Sequence, residues 1–141
     1  MSAPACRKEQ LENFTRGLSL LRHAFARGPE ALSTLEKDGA IRRFEYSLDE
    51  GWKAAREYLE DSGLRIAPVT PREVLRQAAA AGVVTDVQVW IDMFNHRNLL
   101  AHNYDGVVIS EVTDALATRY FPAMEQLHQS LANQVHAPAA V

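Results

Sequence analysis

The sequence predicts an all-α protein, an up-and-down antiparallel bundle of four main helices with one short extra helix. Three observations carry this expectation. Apolar residues recur at steps of three and four in several separate stretches, and glycine, proline and capping residues fall between those stretches. No segment shows strand alternation flanked by hairpin turns. With 141 residues, 47% hydrophobic and 23% charged, the chain has the size and composition of one domain, 1–141, around one core.

The first helix is expected over about residues 6–27, where Leu11, Phe14, Leu18, Leu21 and Phe25 form one stripe ended by Gly28-Pro29. Residues 29–40 stay open: Ser33 and Glu36 have capping-box spacing, but Asp38-Gly39 interrupts them. Ile41, Phe44, Leu48, Trp52, Ala55 and Leu59 mark a long second helix that closes at Ser62-Gly63. Thr70-Pro71-Arg72-Glu73 combines an N-cap, a first-turn proline and an acidic third position, so a short helix should run to Gly82. Thr85 and Gln88 supply a second capping-box spacing ahead of Val87, Trp90, Ile91 and Phe94. A last helix spans about 110–134 through Val112, Leu116, Tyr120, Ala123, Leu127 and Leu131, with Pro122 expected to kink or split it. The tail after Asn133 reads as frayed.

Composition narrows function. No apolar run approaches the ~18 residues that cross a bilayer, and MSAPACRKEQ lacks the apolar core of a secretory signal, so a cytoplasmic protein without membrane attachment is expected. The single cysteine, Cys6, can form neither an internal disulfide nor a metal cage. A formal net charge of -3 argues against a surface coated for non-specific nucleic-acid binding, while leaving room for a local site. His23, His128 and His136 lack metal-ligand spacing and are expected to be solvated. Trp52 reads as core, and Trp90 and Phe94 as core or dimer contacts. Arg42-Arg43 read as a solvated face, with a groove beside a cleft as the alternative.

The chemistry concentrates in Arg97-Asn98-Leu99-Leu100-Ala101-His102-Asn103-Tyr104, at the far end of the Trp90 helix. An arginine can fork two hydrogen bonds onto a phosphate, and a histidine can give or take a proton near neutral pH. On a continuous helix, positions five apart point about 140° away from each other, so the two converge only if the helix ends between them or the arginine reaches around. A structural reading of the same residues is also open: Arg97 as a cation favoured by the helix dipole, His102 as a polar cap and Tyr104 as an anchor of the turn.

The string Arg97-x4-His102-x-Tyr104, with Asn98 after the arginine, resembles the signature of HEPN domains and of the HepT-like toxins, also called nucleotidyltransferase substrate-binding proteins. The segment Ile41 to Lys53, including Phe44-Glu45 and Trp52-Lys53, is similar to that family's second helix, as is Trp90-Ile91-Asp92-Met93 ahead of the arginine. Asp49 stands where a glutamate is usual, and Glu50 where an apolar residue is usual. The resemblance implies a homodimeric, metal-independent endoribonuclease without a cofactor, the toxin of a type VII-like toxin-antitoxin pair. It further implies a minimal nucleotidyltransferase partner that attaches AMP to Tyr104, with Arg97 and His102 catalytic and Asn98 supporting. The alternative is a non-catalytic substrate-binding subunit of a two-component nucleotidyltransferase.

Overall fold

The computed structural model describes the backbone of residues 3–135 and the side chains of 9–134. Six helices follow in order: α1 (Ala3–Ala24), α2 (Thr34–Asp61), α3 (Pro71–Ala80), α4 (Val87–His102), α5 (Gly106–Ala115) and α6 (Phe121–Val135). No strand occurs among the described residues, and none of their helices is long and apolar enough to cross a membrane. The side chain of Cys6, the whole of His136 and the tail beyond Val135 lie outside the described residues.

The open stretch before Ile41 resolves at Ser33. Its hydroxyl accepts from the Glu36 amide at 3.1 Å, and its own amide donates to the Glu36 carboxylate at 2.8 Å. This completed capping box starts α2 at Thr34 and carries Asp38-Gly39 inside the helix. The other end of α2 closes as its glycine predicts: Gly63 has φ +94°, and the Leu64 amide bonds back to the Leu59 carbonyl at 3.0 Å. At α3, Thr70 Oγ1 accepts from the Glu73 amide at 3.2 Å.

Three expected boundaries move. The last turn expected of α1 becomes a series of tighter turns over 25–28, so the helix ends at Ala24. The Thr85–Gln88 box does not form; Asp86 caps α4 by accepting from the Gln88 and Val89 amides, and the Thr85 amide donates to Gln126 Oε1 at 3.2 Å. A carboxylate adjacent to the first turn also complements the helix dipole, which favours Asp86 over the threonine. The last helix begins at Gly106, capped by Asp105, and it is split by a π-helical turn over Leu116–Tyr120. That wide turn precedes Pro122, which has no amide to donate and whose ring presses on the carbonyl of the preceding turn.

The helices pack up and down. Phe14 lies beside Gly51, Gly17 beside Ser47, and Arg43 Nη1 donates to the Leu20 carbonyl at 2.8 Å, so α1 and α2 run antiparallel. Thr15 meets His128 at 2.6 Å and Arg22 meets Glu125 at 2.7 Å, which sets α6 antiparallel to α1. Three helices meet at Gly51, where a Cβ would stand 2.9 Å from the Phe14 ring and 3.3 Å from that of Trp90. Only a glycine admits this approach, which lets the Trp90 ring of α4 reach α2 beside Phe14.

Trp90, Phe14, Phe44, Leu48, Met93 and Tyr120 are fully buried in the common core, each contributing about 1.5–3 kcal/mol of apolar burial. Trp90 and Phe94 are therefore core residues, and neither is available as a dimer contact. Trp52 is half-buried against the core and donates Nε1 to Asp49 at 3.1 Å. His23 is exposed, but His128 is not simply solvated. It is half-buried, with its ring edge-on to Phe14 and its Nε2 against Thr15, and burial holds its pKa below the ordinary value, with the Arg22 charge acting in the same direction.

Candidate functional site

Helix α4 remains helical through His102, so no break brings Arg97 and His102 together within one chain. Their side chains leave the helix about 140° apart. Arg97 is half-buried, its guanidinium carbon 5.0 Å from the centre of the Phe94 ring. That aromatic contact orients the guanidinium without neutralising it. Arg97 lines a groove of about 320 Å³ whose other walls come from α2: Arg42, Glu45, Tyr46, Asp49 and Glu50.

The groove is mixed in charge. Lys53 partly neutralises its acidic end, with Nζ 2.9 Å from Asp49 and 3.9 Å from Glu50. Neither Arg42 nor Arg97 forms an ion pair with a described residue. Asn98 and His102 are exposed and make no side-chain hydrogen bond among the described residues. His102 thus does not cap its helix; the Asn103 amide closes α4 on the Leu99 carbonyl at 2.7 Å. Leu99, between Asn98 and His102, is 40% exposed, large and apolar.

Tyr104 stands in the short turn between the α4 C-cap Asn103 and the α5 N-cap Asp105. The residue is 51% exposed, yet its hydroxyl turns toward α2 and donates to Asp38 Oδ1 at 2.7 Å. Burial of that hydroxyl end, the hydrogen bond to Asp38 and the charges of Asp38 and Glu45 push its pKa up to about 12. Each disfavours the phenolate, the last two because a carboxylate sits where the negative oxygen would form. Tyr104 is therefore held as a neutral phenol.

Behind the site, His96 Nδ1 lies 2.6 Å from the Tyr120 hydroxyl, with Nε2 3.9 Å from Glu111. Tyr120 is fully buried, stacks on Phe44 and is also pushed up to about 12, chiefly by burial. The π-helical turn delivers this tyrosine to α4 one residue before Arg97.

The motif segment thus supplies Arg97, Asn98, His102 and Tyr104 at one end of α4, while α2 supplies residues that motif reading does not point to. Asp38, Arg42, Glu45 and Asp49 follow at steps of four, three and four, one polar face of a long helix. That period was the available signal, but it is also what any solvated helix face displays.

The sequence profile of the family described as "Nucleotidyltransferase substrate binding protein like" matches residues 9–133. A Haemophilus influenzae protein named "Probable ribonuclease HepT" is 26% identical over 98 residues, a match covering 64% of this chain and 66% of that protein, just under two thirds of its length. Among solved structures, a crystal structure of a Thermus thermophilus protein superposes with a TM-score of 0.68 at 29% identity, covering 87% of this chain and 98% of that one. With the profile running from α1 into α6 and the same bundle in a solved relative, the chain belongs to the nucleotidyltransferase substrate binding protein like family, of HepT-like, HEPN type.

Proposed function

We propose that the protein is a metal-independent endoribonuclease, the toxin of a type VII-like toxin-antitoxin pair in the cytoplasm, with Arg97 and His102 as its catalytic residues. The observation that carries this reading is that both are free for a ligand: Arg97 lines an open groove without an ion pair among the described residues, and His102 is exposed without a hydrogen bond among them.

Cleavage of RNA proceeds by attack of the ribose 2′-oxygen on the neighbouring phosphorus. The 2′-O–P bond forms, the P–O5′ bond breaks, a base takes the 2′ proton and an acid returns one to O5′. Arg97 stabilises charge on the non-bridging oxygens. One His102 serves poorly as both base and acid in a single turnover, and within a chain it points away from Arg97. A two-fold homodimer that sets two α4 ends across one cleft supplies both roles and brings one protomer's Arg97 toward its mate's His102. Asn98 supports the phosphate from the same edge.

Tyr104 is the regulatory residue. A partner minimal nucleotidyltransferase with bound ATP transfers AMP to its oxygen: the O–P bond forms, pyrophosphate leaves and the phenolic proton passes to Asp38, which already accepts it. The adenylate then adds bulk and negative charge beside the RNA path.

The test is cleavage of RNA by the purified protein with and without EDTA, alongside Arg97→Ala and His102→Ala. Cleavage should survive EDTA and vanish in both variants, with their circular dichroism unchanged. Incubation with the partner and ATP should silence the wild type with a mass adduct on Tyr104. If the wild type fails to cleave but still binds the partner and supports its transferase activity, the protein is the substrate-binding subunit instead.

A further inference from the structure

A second cavity abuts the Arg97 groove. It is a slot of about 230 Å³ between α1 and α2, lined by Gly17, Leu20, Arg42, Arg43 and Tyr46. Arg42 and Tyr46 line both spaces, so slot and groove adjoin on α2, and a ligand filling both would follow a channel past these two side chains. Their chemistries differ sharply. The slot is lined by Leu20, Gly17 and Tyr46, and Arg43 is tied back onto the Leu20 carbonyl at 2.8 Å. The groove holds Arg97 and three carboxylates.

Resting on the ribonuclease reading above, we infer that this slot is a nucleobase subsite: one base of the RNA stacks on Tyr46 while Arg42, at the junction, holds the adjoining phosphate on its way to Arg97. Two features converge on that occupant. An aromatic ring beside an arginine without an ion pair is the pairing that single-stranded nucleic acid requires, a π-face for the base and a cation for the backbone. Beneath the slot α1 and α2 pack closely at Gly17, where a Cβ would come 2.7 Å from the buried Ser47 Oγ.

The carboxylates supply the second feature. Glu45, Asp49 and Glu50 would repel a polyanion that merely followed the channel. Toward base edges their effect reverses, because carboxylates accept from the exocyclic amino groups of cytosine, adenine and guanine. The channel therefore selects an orientation in which phosphates face the two arginines and an amino-bearing base edge faces α2. Uridine, which has no exocyclic amine, is disfavoured beside Glu45. The occupant is thus single-stranded RNA with an amino base next to the stacked nucleotide.

The experiment measures binding of short single-stranded RNA to His102→Ala protein, which binds without cutting, by fluorescence anisotropy at several salt concentrations. Wild-type cleavage is assayed in parallel. Adding Tyr46→Ala should weaken binding by about tenfold or more, as expected for loss of one aromatic stack, and Tyr46→Phe should restore it. Replacing one nucleotide with an abasic ribose should remove the difference between Tyr46 and alanine. Adding Arg42→Ala should instead lower the slope of log affinity against log salt by about one. Oligocytidine and oligoadenosine should bind more tightly than oligouridine. If wild-type protein cuts RNA but Tyr46→Ala neither weakens binding nor shifts the cleavage sites, the subsite is refuted and the ribonuclease reading stands. If the wild type neither cuts nor binds, the ribonuclease reading falls and the subsite with it.

Discussion

Replacing Asp38 with asparagine should release the Tyr104 proton at lower pH and yet slow AMP transfer to its oxygen. In the native protein the hydroxyl donates to Asp38 Oδ1 at 2.7 Å, and its pKa stands at about 12. At that separation a carboxylate and a phenolate in a water-like medium repel by about 1.5 kcal/mol, equivalent to about one pH unit. Burial, the largest cause, persists in the variant, so the pKa should fall by about that much and stay above its ordinary value. At neutral pH this raises the phenolate fraction about tenfold, while losing a positioned base costs about a hundredfold or more. The second effect wins, and transfer should slow by about tenfold. Tyrosinate absorbance, with Tyr104→Phe as the reference, reads the pKa, and AMP incorporation from labelled ATP reads the rate. A pKa unmoved by Asp38→Asn, or AMP transfer at the native rate, refutes Asp38 as the acceptor of the proton.

Two further outcomes follow from the same geometry. The wild type should scatter as a dimer, and Leu99→Glu should be monomeric and inactive while remaining helical, because Leu99 is the exposed apolar residue between Asn98 and His102; a monomeric wild type that still cuts RNA would remove the shared cleft. Stability should fall toward both pH extremes. His128 has a folded pKa depressed below 6.5, so its contribution is present above that pH and is lost as pH falls through the folded value. Tyr104 and Tyr120, raised from 10 to about 12, contribute below pH 10 and lose that contribution as pH rises to about 12. Thermal melts against pH should show both limbs, with His128→Asn flattening the acid limb and Tyr104→Phe with Tyr120→Phe flattening the alkaline one.

Helix order and stripes were legible because apolar periodicity and caps are local. Leu11, Phe14, Leu18 and Leu21 on α1, and Ile41, Phe44, Leu48 and Leu59 on α2, all enter the core. The departures arise where local signals compete. Asp38-Gly39 suggests a break, but nothing lies within 4 Å of where a Gly39 Cβ would stand, and the Ser33–Glu36 box upstream carries the helix through that weak point. Thr85 and Asp86 both offer caps, and the carboxylate prevails. His128 shows no distinctive spacing, because its burial depends on Phe14 and Thr15 more than a hundred residues earlier in the chain.

The site divides along the same line. Arg97, His102 and Tyr104 were visible as a short string, whereas the α2 wall is a product of tertiary register. Gly51 admits Trp90, and with Arg97 beside Arg42 and Glu45 and Tyr104 on Asp38, α4 and the turn after it run antiparallel to α2. Two helical turns farther along α4, about 10 Å, stands Arg97. Moving the same distance back along α2 from Gly51 reaches Phe44-Glu45, in the middle of the segment that lines the Arg97 groove. A glycine buried at a three-helix contact thus stands in register with the carboxylates and the tyrosine that confront the arginine. Asp38 enters by the complementary route: α4 ends at His102, and the turn that follows returns Tyr104 to the start of α2. Arg97 and Tyr104 thus stand along the same face of α2, so that an adenylate on Tyr104, as proposed above, would lie beside the Arg97 groove.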